Sequence, residues 1–314
     1  MNTFTYILPL LLLSLLFTNC KLKQNNAINS SDTLAFAKEM VEFQPNKQNP
    51  LFSGTNNETW DKNIRERGFI LSENGSYKMW YTGYTGNDND PKYLGLATSK
   101  DGINWVRDPN NPIFSQKWTE DMFVIKYEGK YYMYAEGKND IAHLLISDDG
   151  INWCEQGDLV ILTEKGDPIP GPYGTPSVLI EDGKWYLIYE RNDEALWLAT
   201  STDKKNWTNI QDEPILKKGP EAYDKGAVAC NQVVKFKGKY YMYYHGSTDV
   251  NWALPGANSL WTSSVAMSTD LIHWTKYPKN PIVEGDHSSP IIVSNGDEFC
   301  LYTMHNEVWR YNAK

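Results

Sequence analysis

The chain lacks a basic block. Its 314 residues carry a formal net charge of −9 at pH 7, from 30 Lys and Arg against 39 Asp and Glu. Nucleic-acid binding needs a positive stripe, and none is written here. Cysteine is scarce, with four residues in all. None stands in a Cys-x-x-Cys pair or in a Cys/His spacing that would hold zinc. After Cys20 only Cys154, Cys230 and Cys300 remain. The odd count leaves at least one thiol free, and the reading is three small buried residues. The apolar run Tyr6–Phe17 is too short to span a bilayer. The repeating units described below show no helical period.

That short run reads as the apolar region of a secretory signal, although no Lys or Arg stands near its start. It ends in Leu16-Phe17-Thr18-Asn19-Cys20. This resembles the loose form of lipoprotein signal common in Bacteroidota, which implies cleavage at residue 19 and lipidation of Cys20. The alternative is a simple secreted protein with an incidental Cys20. Residues 20–36 are polar and read as a lipidated flexible tether. Residues 37–314 are then the folded, catalytic domain.

What the chain has in abundance is repetition. One half-unit reads GKYYMYAEG (129–137), GKWYLIYER (183–191) and GKYYMYYHG (238–246), with a looser GSYKMWYTG (75–83). The other half reads LGLATSKDGINWVRDPNNPIF (94–114) and recurs at 143–162, 196–216 and 264–283. Fixed-period self-similarity built from short β-type runs predicts an all-β propeller. Gly with Asn or Asp in the ENGS, EGK, EDGK, KGK and NGDE segments supplies tight hairpins. Four antiparallel strands make one blade, and five blades are counted. The C-terminal unit lacks its fourth run. Residues 40–52 end in Asn-Pro-Leu-Phe, which matches the Asn-Pro-Ile-Phe at 111–114 and the Asn-Pro-Ile-Val at 280–283. The N-terminal segment is therefore expected to supply the last blade's outer strand and close the ring without open edges.

In such a ring the residues before strand one and after strand two collect on one face, around a central funnel. Carboxylates concentrate there, and glycosidic cleavage uses two of them. A third can raise the acid's pKa by like-charge repulsion. The candidate catalytic residues are Asp61, Glu66, Asp121, Glu190, Asp224 and His287. Asp61 and Asp224 each follow an aromatic and precede Lys, a repetition that suits loop capping as well as catalysis. Asp121 directly precedes an inner strand and should line the funnel. Arg65, Arg67 and Arg191 crowd the same mouth, to bind an anionic or sulfated sugar or to neutralise nearby acids. Trp60, Trp118 and His245 complete the candidate substrate-binding set.

The repeated GKYYMY…LATSxDGxxW…NPIF unit resembles the five-bladed propeller glycoside hydrolases, nearest to family 43 and its relatives in families 32, 117 and 130. The resemblance covers nearly all of residues 40–314. It implies an inverting mechanism with an Asp base, an Asp that tunes and orients, and a Glu acid. The implied Asp-Pro-Ser start of blade one is Arg65-Glu66-Arg67-Gly68 here, so Asp61 or Glu66 would be the base. In blade three the equivalent is Thr175-Pro176-Ser177. Asp121 matches an inner-strand acid, as in family 32. The family's Glu-Gly-Pro is absent from blade four, where Gly219-Pro220-Glu221 differs. Glu190, Asp224 or His287 would donate the proton.

The expected function is an exo-acting glycoside hydrolase that releases terminal xylose, arabinose, galactose-type or uronic sugars from oligosaccharides. The alternatives are a glycoside phosphorylase and a non-catalytic glycan-binding lipoprotein. The expected place is the outer membrane, through the anchor at Cys20. No cofactor is expected. The resemblance admits a Ca²⁺ in the funnel, but no ligand set for it is legible.

Overall fold

The computed structural model describes residues 35–314 apart from Asp88, Glu284 and Asp297. The expected signal at 1–19, Cys20 and nearly all of the tether lie outside the described residues. Residues 36–314 form one compact unit.

The hydrophobic pattern of each repeat dictates a sheet buried on both faces. In strand two of blade two, Lys130–Gly137, every residue after the first is buried. Such a strand must lie between neighbouring sheets, and five sheets arranged as blades provide this. Blade one is built on Phe69–Glu73, Ser76–Tyr84, Tyr93–Ser99 and Val106–Arg107. Blade two is Glu120–Tyr127, Lys130–Gly137, Ile141–Ser147 and Cys154–Asp158. Blade three is Gly174–Glu181, Lys184–Arg191, Ala195–Ser201 and Asn206–Asn209. Blade four is Ala227–Phe236, Lys239–Ser247, Trp261–Ser268 and Thr275–Lys276. Blade five is Pro290–Asn295, Glu298–Met304 and Glu307–Ala313, completed by Phe43–Pro45.

That last strand closes the ring as expected, with Phe43 opposite Ala313 and Pro45 opposite Tyr311. The Asn-Pro segments explain themselves. Asn111 accepts from Leu96 N at 2.9 Å and donates to Leu96 O at 2.9 Å. Asn280 does the same to Val265, and Asn49 to Arg310. In each case a side-chain amide stands in for one residue of a β-ladder on strand three. Asn49 does this across the two ends of the chain.

The aromatic residue at the middle of strand two links the blades. Trp80 Nε1 donates to Gly150 O in blade two, Tyr134 OH to Lys204 O in blade three, and Tyr302 OH to Gly102 O in blade one. Tyr243 OH of blade four reaches Met40 O, just before blade five's outer strand. Blade three has Ile188 at this place and makes no such bond. The seam between blades two and three is tied a second time: Val160–Leu162 leaves blade two and pairs in parallel with Asn206–Thr208.

Cys230 and Cys300 are buried and free as expected. Cys154 is exposed, because it starts the outer strand of blade two, which has a solvent face.

Candidate active site

Two rings of residues meet at one end of the channel. The first ring ends strand two: Thr82, Glu136, Glu190, His245 and Met304. It is defined by pairing with Arg65, Glu120, Gly174, Ala229 and Ser288 respectively. The second ring follows within two residues of those partners, and in blades two, three and four the ladder slips there. The register shifts between Glu120 and Phe123, between Gly174 and Ser177, and between Cys230 and Gln232. At the first two bulges Asp121 and Thr175 both take φ of 50°, and just before the inner strands of blades one and five Arg67 and Ser289 take 56° and 60°. A side-chain-bearing residue in the left-handed region costs about 1–3 kcal/mol, and such strain gathers at functional sites. Bulges of this kind re-aim a side chain. Here they turn Asp121 and Thr175 into the cavity.

The cavity measures about 140 Å³. Six carboxylates line it: Glu66, Asp121, Glu136, Asp140, Glu190 and Asp193. Arg65, Thr175, Asn192, His245, Ser288, Trp252 and Trp261 complete the wall. Glu136 accepts from Thr175 N at 2.9 Å. Glu190 accepts from Gly174 N at 3.1 Å and Asp193 N at 2.6 Å. Gly174 is required between them, because a Cβ there would sit 2.1 Å from Glu136 Oε2 and 2.7 Å from Glu190 Oε1. Arg65 Nε lies 2.7 Å from Glu120 Oε2 and its Nη2 lies 3.6 Å from Glu66 Oε1. His305 Nε2 lies 3.6 Å from the other oxygen of Glu66.

So many acids in one dry place resist ionisation. Burial first, then Glu66 and Glu120, hold the Asp121 carboxyl well above the usual range, against the pull of Arg67. Glu136 is pushed well up by burial and by Asp121, Glu120 and Glu190. Asp193 is pushed well up by burial and by Glu190, Asp140 and Glu66. Glu190 and Glu120 rise as well, chiefly through burial. His245 is driven well below its ordinary value by burial, Arg67 and His305, and stays neutral. The site can therefore offer a protonated carboxyl to a leaving oxygen and a second carboxylate to a nucleophile.

Arg67 lies beneath this wall, 2 % exposed. Its N donates to Met304 O, its O accepts from Met122 N, and its Nη2 donates to Cys230 O at 2.9 Å. Its Nη1 stands 3.9 Å from Asp121 Oδ2. One residue of blade one thus ties blades two, four and five and holds a cation under Asp121. It is a floor residue and does not line the cavity.

Of the candidates read from sequence, Glu66, Asp121, Glu190, Arg65 and His245 meet at the cavity. Asp61 and Asp224 do not. Asp61 is buried between Tyr81 OH and Arg107 Nε at 3.1 and 2.9 Å. Asp224 is buried between Tyr244 OH and Lys276 Nζ at 3.3 and 2.5 Å. The register seen in the sequence is real, and it is a loop clamp, with each carboxylate held by a tyrosine and a cation. His287 packs on Trp309 at 4.4 Å and lines a separate groove with Pro45 and Pro281. Trp60 stacks on Tyr81 at 5.9 Å. Trp118 carries Lys92 over its ring at 4.7 Å. Arg191 lies over Trp197 at 5.5 Å. None of these four lines the cavity.

Asp140, Asp193, Trp252 and Trp261 were missed. The two aspartates sit in the Asn139-Asp140 and Asn192-Asp193 turns just beyond Glu136 and Glu190. Those turns were legible as hairpin chemistry, and their position past strand two puts them on the funnel face. Trp252 belongs to a connection outside the repeat, and Trp261 opens the strand that follows it.

A family model for the glycosyl hydrolases family 32 N-terminal domain matches residues 21–167. A 1,2-β-oligomannan phosphorylase of Thermoanaerobacter sp. (strain X514) is 26% identical over 226 residues, 68% of this chain and 74% of that protein. Among solved structures, a putative glycoside hydrolase from Parabacteroides distasonis superposes with a TM-score of 0.68 at 15% identity, covering 87% of this chain and 97% of that one. A β-1,2-mannobiose phosphorylase from Listeria innocua, in complex with β-1,2-mannobiose, gives 0.65 at 15%, covering 86% and 96%. The fold is that of the five-bladed glycoside hydrolases and phosphorylases. Within that group the matches carry the family 32 and family 130 names that the repeat pointed to beside family 43. The chain thus shares the propeller fold of glycan-processing enzymes, with its acids gathered where the bulged inner strands meet.

Proposed function

We propose that this propeller hydrolyses a terminal glycosidic bond, with Asp121 as general acid. The observation that carries the reading is the crowding of acids in the cavity. Six carboxylates line it, and Arg65 and Arg67 each already face one, Glu120 and Asp121. Water adds no charge to such a site, whereas a phosphate dianion would bring two more negative charges among acids that already resist ionisation. Asp121, kept protonated by burial and neighbouring acids, donates to the leaving oxygen. Glu66, half-buried beside Arg65 and His305, takes the proton of the attacking water. Glu136 and Glu190, held by backbone N–H groups, orient the sugar hydroxyls. An inverting pair should stand about 6.5–9.5 Å apart, with room for water.

The small volume suits one sugar ring, hence action at a chain end. The relatives' names direct the first choice of sugar to β-linked mannosides. Anchoring through a lipid on Cys20 belongs to the same proposal and is checked by mass spectrometry of the envelope-derived protein.

Phosphorolysis is the second reading. It is favoured by Arg67, whose Nε and Nη1 make no hydrogen bond. One experiment separates the two. The protein is incubated with β-1,2-mannobiose and a panel of other oligosaccharides, uronate-bearing and sulfated ones included, with and without phosphate. Free monosaccharide in both conditions, lost in Asp121→Asn, supports hydrolysis. A sugar 1-phosphate that forms only with phosphate replaces it with phosphorolysis. Binding without product, in wild type and variant alike, leaves a glycan-binding protein.

A further inference from the structure

The connection between strands two and three is short in most blades. It has three residues in blades two and three, two in blade five and eight in blade one. In blade four it has thirteen, from Thr248 to Leu260. This insertion is tied at its base. Thr248 N donates to Leu260 O, Ser247 Oγ meets Ser259 Oγ, and Trp261 N donates to Asp286 Oδ1 at 2.7 Å. Further in, Asn251 N bonds Asp249 Oδ1 and Leu254 N bonds Asn251 O. It is an ordered arm with a fixed root.

Its side chains are distributed against the ordinary rule. Val250, Leu254 and Leu260 are 61 %, 60 % and 48 % exposed. The two indoles, Trp252 and Trp261, are turned to the cavity wall instead. They meet edge to face at 5.1 Å, and Trp261 meets His245 at 5.5 Å. A loop shaped by hydrophobic burial alone would hide its aliphatic residues first. Placing aromatic rings beside carboxylates is the composition of a ligand site, where a flat apolar face carries the ring and polar groups fix its hydroxyls.

We infer that the blade-four insertion is the sugar platform of this site: Trp252, backed by Trp261 and His245, stacks on a pyranose ring and determines which sugar the carboxylates receive. The inference rests on the proposed function. It adds that the platform is supplied by an arm grafted onto the repeat, so specificity is separable from the acids of blades one to three.

The test uses Trp252→Ala and Trp252→Phe, with β-1,2-mannobiose and β-1,2-mannotriose as probes. Trp252 is on a surface arm, and a thermal melt of each variant checks that the propeller is intact. In Trp252→Ala, KM should rise by roughly tenfold or more, as for truncation of a buried aromatic anchor, while kcat stays within about twofold. Trp252→Phe should recover most of the loss. A KM equal to wild type in Trp252→Ala, or a Phe variant no better than Ala, overturns the platform. If wild type releases nothing, calorimetry with the same probes decides. Binding that Trp252→Ala loses keeps the platform and removes the hydrolase. Binding that Trp252→Ala retains, or no binding by wild type, removes the platform.

Discussion

Asp121 carries two opposed demands. It must be held in a strained left-handed backbone, among other acids, and must still keep a proton for a leaving group. Arg67 sets the balance from below. Replacing the ionisable carboxyl by an amide should therefore abolish turnover and stabilise the fold. Asp121→Asn is expected to lose sugar release by a factor of at least about 10² while melting a few degrees higher than wild type at pH 7–8. Calorimetry of both proteins checks it, and an unchanged or lower melting temperature would count against a buried, charge-resisting Asp121. Replacing the cation acts in the other direction. Arg67→Met removes the group that favours ionised Asp121, so the basic limb of the kcat/KM profile should move to higher pH. It also leaves Cys230 O unpaired, and loss of one partner of a buried ion pair costs about 3–5 kcal/mol. A pH–rate profile that keeps its basic limb in place would assign that limb to another group.

At the scale of elements, the bonds that make the ring are side chains imitating backbone. Asn49, Asn111 and Asn280 each give strand three two hydrogen bonds. Asn49→Ala should cost about 1–3 kcal/mol in urea unfolding, two bonds at about 0.5–1.5 kcal/mol each. Asn111→Ala should cost about one further bond, because Asn111 Nδ2 also donates to Tyr81 OH at 3.1 Å. Only the Asn49 variant loosens the seam between the two ends of the chain, so hydrogen exchange in Glu307–Ala313 should quicken in it alone. The Asn-Pro repetition, the strand pattern and the split fifth blade were legible because packing between blades imposes one hydrophobic pattern five times. The site was legible only in part. Asp121 could be placed at the funnel because it directly precedes the apolar inner-strand run of its repeat. For Asp61 and Asp224 the sequence left loop capping and catalysis both open, and the structure shows the clamp, because repetition marks a structural clamp as readily as it marks a wall. Trp252 lay outside the repeat, and no period could point to it.

Across the whole molecule two populations of acids answer pH in opposite senses. Asp101, Asp149, Asp203 and Asp270 sit in the turns between strands three and four. Each accepts two backbone N–H groups, for example from Ile103 and Asn104 at 2.9 and 2.8 Å. These hydrogen bonds depress the Asp101, Asp149 and Asp270 carboxyls, and lower that of Asp203 to about 2. A depressed folded-state pKa adds stability above the unfolded value, and that stability is lost as pH falls through the folded one. The funnel acids Asp121, Glu136, Glu190 and Asp193 are raised. A raised folded-state pKa adds stability below the unfolded value, and that stability is lost as pH rises through the folded one. The turns therefore favour pH above about 4 and the funnel favours pH below its raised values, so the melting temperature should peak on the acid side of neutrality. The two limbs have different owners. Asp121→Asn should flatten the decline toward alkaline pH and leave the acid limb unchanged. Asp101→Asn should do the reverse, lowering the plateau and softening the fall below about pH 4. Melting curves of the three proteins from pH 3 to 9 decide it: if both variants shift the same limb, the funnel and the turns do not divide the pH response as their hydrogen bonds and burial require.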